Sequence, residues 1–141
     1  MIRAVIDTNA LVSAAIKPRG EAGRILDHLR HDRFTLLYGT ALLEELVGVL
    51  NRPHLRDKYQ LTPHYLHRFL HVIRLRGEKI EPTHKITICR DPDDNMFLEI
   101  ALSGSADYLV SNDGDLLTLS PFEGIPIIKP TLFLQQLDGD L

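Results

Sequence analysis

Ile2-Arg3-Ala4-Val5-Ile6-Asp7-Thr8-Asn9 is the stretch that decides the fold. A short, mostly apolar run rich in β-branched residues ends abruptly on a carboxylate, which reads as a buried parallel strand over Ile2–Ile6 delivering Asp7 at its C-terminal end. Asp7, Thr8 and Asn9 also suit the start of the helix suggested by Leu11, Val12, Ala14, Ala15 and Ile16. In open α/β sheets, however, the crevice beyond the strand C-termini is where ligands bind, so Asp7 is a candidate site residue as well as a cap.

Working outward, Lys17-Pro18-Arg19-Gly20 breaks that helix and a second runs from about Glu21 to His31. Phe34–Tyr38 reads as a second strand, and Gly39-Thr40 opens a helix from Ala41 to about Asn51. On that helix Glu45 projects about 40° from the edge of the apolar face and Glu44 about 60° beyond the other edge, which favours Glu45 as the acid nearer the core and Glu44 as solvent-facing. Arg52-Pro53 ends the helix, and a polar connector with Arg56, Asp57 and Lys58 leads to Thr62-Pro63, which starts another helix lasting to about Leu75. Tyr65, Leu66, Phe69, Leu70, Val72 and Ile73 form its apolar side. His64, His67, Arg68, His71 and Arg74 share a polar stripe on the other, read as a solvated face because no acid or Cys completes a zinc set. Arg68, Arg74 and Arg76 are candidates for contacting phosphates.

Ile80–Thr83 is a linker into an alternating strand, Lys85–Cys89, and then comes Asp91-Pro92-Asp93-Asp94. Asp91 before Pro92 is a helix start, and acids in a first turn favour the helix dipole, so capping alone could explain all three carboxylates. At about 100° per residue Asp94 nevertheless falls in the middle of the arc formed by Phe97, Leu98, Ile100, Ala101 and Leu102, with Glu99 and Ser103 on the solvent side. A carboxylate on a buried face needs a cation, a metal or several donors. Tyr108–Ser111 is a further apolar strand running into Asn112-Asp113-Gly114-Asp115, Pro126–Lys129 a last strand, and Thr131–Leu137 a terminal helix. Strands separated by helical patterns imply a parallel, layered α/β sheet, with residues 1–141 forming a single domain.

Composition narrows the function classes. With 44% hydrophobic and 25% charged residues among 141, the chain is that of a soluble globular protein. Its one cysteine, Cys89, excludes an internal disulfide framework and suits a reducing cytosol. No apolar run reaches membrane-spanning length and no signal-peptide layout opens the chain, so the expected location is cytoplasmic, with no membrane partner. The net charge of −3 argues weakly against a generic nucleic-acid binder. Removing five candidate site carboxylates from the 19 acidic residues leaves 14 against 16 basic ones, a surface compatible with a metal-dependent enzyme acting on a polyanion.

Asp7 and the Asp113/Asp115 pair follow apolar strands, Glu45 follows a second strand and Asp94 a third. Parallel strands present equivalent ends on one edge, so these acids can meet although distant in sequence. Clustered carboxylates repel one another unless a multivalent cation neutralises them, and Mg²⁺ or Mn²⁺ prefers oxygen ligands while keeping waters that a substrate phosphate can replace. Such a site suits phosphodiester hydrolysis. No recognised nucleophile motif and no phosphate-binding glycine loop competes with it.

Asp7-Thr8-Asn9, Leu43-Glu44-Glu45-Leu46, Asp91 to Glu99 and Ser111-Asn112-Asp113-Gly114-Asp115-Leu116, in this order, together resemble the PIN-domain family, most closely the bacterial and archaeal subgroup described as toxin components of toxin-antitoxin pairs. The resemblance implies a three-layer α/β/α domain around a parallel sheet and a Mg²⁺- or Mn²⁺-dependent endoribonuclease. It implies metal-binding and catalytic acids at Asp7, Glu45, Asp94 and Asp113, with Asp115 auxiliary. Thr8, Asn9 and Ser111 match polar positions that support the acids or metal-bound water. Ser111 stands where relatives more usually have Thr, and Gly114 where they often have a larger residue. The expected partners are an RNA substrate and an antitoxin protein, and the expected assembly is a homodimer or higher homo-oligomer. Two other readings compete: a catalytically degenerate module that binds RNA or protein, and a phosphatase with Asp7 as nucleophile. The second would want another acid at position 9, where this chain has Asn.

Overall fold

The computed structural model describes residues 1–139. Asp140 and Leu141, the end of the expected 1–141 domain, lie outside them. Five short strands, β1 (Arg3–Ile6), β2 (Thr35–Tyr38), β3 (Gly77–Lys79), β4 (Tyr108–Val110) and β5 (Ile127–Ile128), form one parallel sheet in the order β3-β2-β1-β4-β5. The helices that flank it are α1 (Thr8–Ile16), α2 (Glu21–Arg30), α3 (Thr40–Leu50), α4 (Pro53–Lys58), α5 (Pro63–Arg76), α6 (Asn95–Ser103), α7 (Gly114–Leu117) and α8 (Pro130–Gly139). The architecture is the α/β/α arrangement expected from the alternation of strand and helix patterns. Ala4, Val5 and Ile6 are all buried, as a strand covered on both faces requires. Among the described residues no helix is long and apolar enough to cross a membrane.

Strand order sets the site. From the central β1 the chain fills one side of the sheet with β2 and β3, then returns to place β4 and β5 on the other. The crevice between the C-terminal ends of β1 and β4 is therefore the switch point of the topology, the place where open α/β sheets bind ligands. Helix α6 lies across β1, β2 and β4, burying Phe97, Leu98, Ile100 and Ala101. Helix α2 packs with α1, α5 and α8, where the rings of Phe34 and Phe133 meet edge to face at 5.3 Å.

Three sequence expectations are corrected. Lys85–Cys89 is not a strand: its backbone donors go to side chains on α6. Thr83 N–H donates to Ser103 Oγ (2.9 Å), Ile86 N–H to Glu99 Oε2 (2.9 Å) and Cys89 N–H to Asn95 Oδ1 (3.0 Å). Acceptors spaced four residues apart share one helix face, so the segment runs antiparallel to α6 and is hung from it. The third strand is instead Gly77–Lys79, a polar three-residue piece paired with β2, and its shortness and charge suit an edge. The connector after Arg52 is the short helix α4, with Pro53 in its first turn.

These three bonds predict a measurable strap. Glu99→Ala and Asn95→Ala should each cost about 1 kcal/mol and raise hydrogen exchange at Ile86 and Cys89 respectively, while Glu99→Gln, which keeps an acceptor, should retain protection. Unchanged exchange in Glu99→Ala would show that the segment is held by other contacts.

Candidate active site

The register of the sheet decides which side chains meet. Ile6 pairs with Val110, so the next residues, Asp7 and Ser111, emerge side by side, with Asp7 N–H donating to the Val110 carbonyl (3.0 Å). Ser111 Oγ donates to Asp7 Oδ2 (2.5 Å) and accepts from the Asp113 N–H (2.9 Å), so one buried hydroxyl ties together the residues that carry two of the acids. The other carboxylate oxygen of Asp7 accepts from Ala10 N–H (2.9 Å), which makes it the cap of α1 as well. The cap and the expected site residue are thus one side chain.

Asp94 separates cleanly from its neighbours. Asp91 is the residue that caps, accepting from Asp93 N–H at the start of the 3₁₀ turn Pro92–Asp94. Asp94 ends that turn at the threshold of α6, makes no capping bond, and is half-buried. Its carboxyl group meets that of Asp113. Because the turn is 3₁₀ rather than α, Asp94 is less deeply placed than a helical count puts it.

The remaining acids lie farther out. Glu44 and Glu45 are both exposed. The charge of Glu45 nonetheless bears on Asp7, whereas Glu44 lines a different groove, of about 550 Å³, with Leu43, Val47, Arg74 and Lys79. Asp115 is exposed in the first turn of α7, its N–H donating to Asp113 Oδ1 (3.0 Å). Arg68 and Arg74 stand at opposite edges of the α5 stripe: Arg68 lines a small cleft with Arg30 and Tyr65, and Arg76 lies 3.9 Å from Asp32. The three arginines therefore do not form one patch.

Crowding is visible in the proton affinities. Burial raises the pKa of Asp7 above the ordinary carboxylate value; the Ser111 and Ala10 bonds oppose the shift, and the charges of Asp113 and Glu45 add to it. Asp94 is raised to about 6 by burial, the carboxyl contact with Asp113 and the charges of Asp113, Asp91 and Asp7. The Cys89 thiol is pushed up by burial and then by Asp94, Asp113 and Asp91, so it sits beside the same cluster as a small, poorly ionised group.

Repelling oxygen donors of this kind fit a hard divalent cation. Among the described residues, no three His, Cys, Asp or Glu side chains form a ready-made cage. Mg²⁺ does not require one, because it keeps several waters and is held through one or two carboxylates. The Thr8 hydroxyl, buried and without a hydrogen-bond partner among the described residues, is a further polar group next to Asp7 along the chain. A cleft of about 350 Å³ opens beside the acids, lined by Asp7, Asn9, Ala10, Ser13, Asn112 and Asp113. Sequence reasoning missed Ser13 and gave Asn112 no role. The signal for Ser13 was its place four residues after Asn9 on one helix.

A family model described as PIN domain matches residues 3–115. An uncharacterized protein of Methanocaldococcus jannaschii is 32% identical over 118 residues, 84% of this chain and 75% of that relative. The crystal structure of PAE2754 from Pyrobaculum aerophilum matches with a TM-score of 0.62 at 16% identity, covering 98% of this chain and 90% of that one. VapBC2 from Rickettsia felis, crystallised bound to a DNA fragment from their promoter, matches with a TM-score of 0.59 at 17% identity, covering 91% of this chain and 98% of that one. At such identities the two structural likenesses speak to the fold.

The raised pKa of Asp94 fixes the sign of a pH effect. A carboxyl group that holds its proton more tightly folded than unfolded contributes stability below about pH 4 that is lost as pH rises through about 6. In metal-free buffer Asp94→Asn should therefore melt above the wild type by a margin that widens over that window and then levels. A variant that melts lower, or by a margin independent of pH, would show that Asp94 contributes more by contact than it costs by repulsion.

Proposed function

We propose that this chain, which belongs to the PIN-domain family, is a divalent-metal-dependent endoribonuclease and the toxin of a toxin-antitoxin pair, acting in the cytoplasm as a single domain over residues 1–141. The observation that supports the reading is that Asp94 meets Asp113 beside the β1–β4 switch point and that the charges of Asp113, Asp94 and Glu45 bear on one another or on the buried Asp7. PIN domains are generally nucleases that use divalent metals. The fold likeness to VapBC2 supports the toxin reading and an antitoxin protein as partner. A homodimer or higher homo-oligomer is proposed with it.

Asp7, Asp94 and Asp113 would hold Mg²⁺ or Mn²⁺, with Glu45 on the open side and Asp115 auxiliary. When bound, the ion neutralises the carboxylates, polarises the scissile phosphate and lowers the pKa of a water molecule. The chain's own residues set the geometry for that chemistry. Ser111 and the Ala10 N–H lock Asp7 in one orientation, leaving a remaining lone pair on each of its oxygens for other ligands. Ser111 also fixes the Asp113 backbone, so the two acids cannot move independently. Asp94 holds its proton more tightly than an ordinary carboxylate and would have to be deprotonated to serve as a ligand, so metal binding would strengthen as pH rises. Thr8 and Asn9 are proposed to orient water at the acids. Of the three candidate arginines, Arg74 is the best placed for RNA phosphates, because it shares its groove with Lys79; Arg68 and Arg76 would serve only a more extended RNA path.

Single-turnover cleavage of a labelled single-stranded RNA tests the reading. Cleavage should require Mg²⁺ or Mn²⁺ and stop with EDTA. Asp7→Asn, Asp94→Asn and Asp113→Asn should each slow it about a hundredfold or more, Ser111→Ala about tenfold, and Glu44→Gln less than about threefold. RNA binding without cleavage, indifferent to metal, would overturn the reading in favour of a binding module.

A further inference from the structure

We infer that the cleft between the first turns of α1 and the loop after β4 is a nucleoside subsite, taking the base and ribose of an RNA nucleotide next to the scissile phosphate. The inference rests on the ribonuclease reading for its place in the reaction, but its geometry is independent of cleavage. At about 350 Å³ the cleft has the volume of a small-ligand site. Asp7 and Asp113 are among its lining residues. Its walls carry three neutral polar side chains: Asn9 and Ser13, four residues apart on the same face of α1, and Asn112 from the loop after β4. All three are exposed.

The chemistry of the lining selects the occupant. Among the described residues no Lys, Arg or His lines the cleft, and two acids do, so a free anion such as inorganic phosphate is disfavoured there without a cation. Each Asn offers two N–H donors and a carbonyl acceptor in one plane, the complement of a base edge. Unstacked bases of single-stranded RNA present these edges, and the Ser13 hydroxyl, both donor and acceptor, matches the ribose 2′-OH. A metal held at the acids would receive the phosphate, and the neutral part of the nucleotide would fall into the adjoining cleft.

Titration of uridine, cytidine, adenosine and guanosine, and of their 2′-deoxy forms, into the full chain tests this by amide NMR. Nucleosides carry no phosphate, so the result decides the subsite even where RNA is not cleaved, and the cleavage assay above decides the ribonuclease reading separately. Saturable shifts are expected at Asn9, Ser13 and Asn112, with one base preferred and the 2′-deoxy form bound at least about threefold more weakly. Ser13→Ala and Asn112→Ala should each weaken binding about three- to tenfold. Ser13→Ala is an exposed helical substitution that improves helix propensity, so folding is not at risk. Absence of saturable shifts for all four ribonucleosides in the wild type would overturn the proposal. Equal shifts with inorganic phosphate, or shifts that survive in the Ser13→Ala/Asn112→Ala double variant, would overturn it as well.

Discussion

The pairing of Ile6 with Val110 is the constraint on which the site depends. It brings two chain segments about a hundred positions apart into register, and the first residue beyond each strand is polar: Asp7 on one side and Ser111 on the other. A one-residue slip would put the two side chains on opposite faces of the sheet and break their contact. Burying Asp7 carries a desolvation cost, visible in its raised pKa, and the Ser111 and Ala10 donors offset part of it. The rest favours a proton or a neighbouring cation at this carboxylate.

Helix α6 brings the third acid. Its apolar face holds it across β1, β2 and β4, and its outer face, through Asn95, Glu99 and Ser103, holds the incoming segment 83–89. Asp94 stands where the two jobs meet, at the end of the strapped segment and the start of the buried helix. Its position relative to Asp113 is therefore set from both directions, by core packing on one side and by backbone hydrogen bonds on the other.

Much of this was legible in the sequence, for stateable reasons. Residues 4–6 and 109–110 are apolar on both faces, as a covered parallel strand needs, and acids just beyond such strands point to the ligand-binding edge. Gly77–Lys79 was not legible, because three polar residues at a sheet edge carry no periodic signal. Lys-Ile-Thr-Ile-Cys at 85–89 misled for the opposite reason: it has the alternation of a strand, but its backbone donors found side-chain acceptors, and Ile88 remains 55% exposed. Asp94 was singled out by a helical count that extended α6 one turn too early, and the meeting with Asp113 came from strand topology rather than from that count. That Glu44 lines the groove with Arg74 and Lys79 while the charge of Glu45 bears on Asp7 depends on how α3 sits against the sheet, which no local pattern encodes.

Isothermal titration of Mn²⁺ into the wild type and Asp94→Asn, in phosphate-free buffer, tests most directly whether the converging acids form a metal site. Saturable binding in the wild type, strengthening between about pH 5 and 7 as Asp94 gives up its proton and lost in the variant, is the expected result. Equal binding in the two proteins, or none in the wild type, would contradict it.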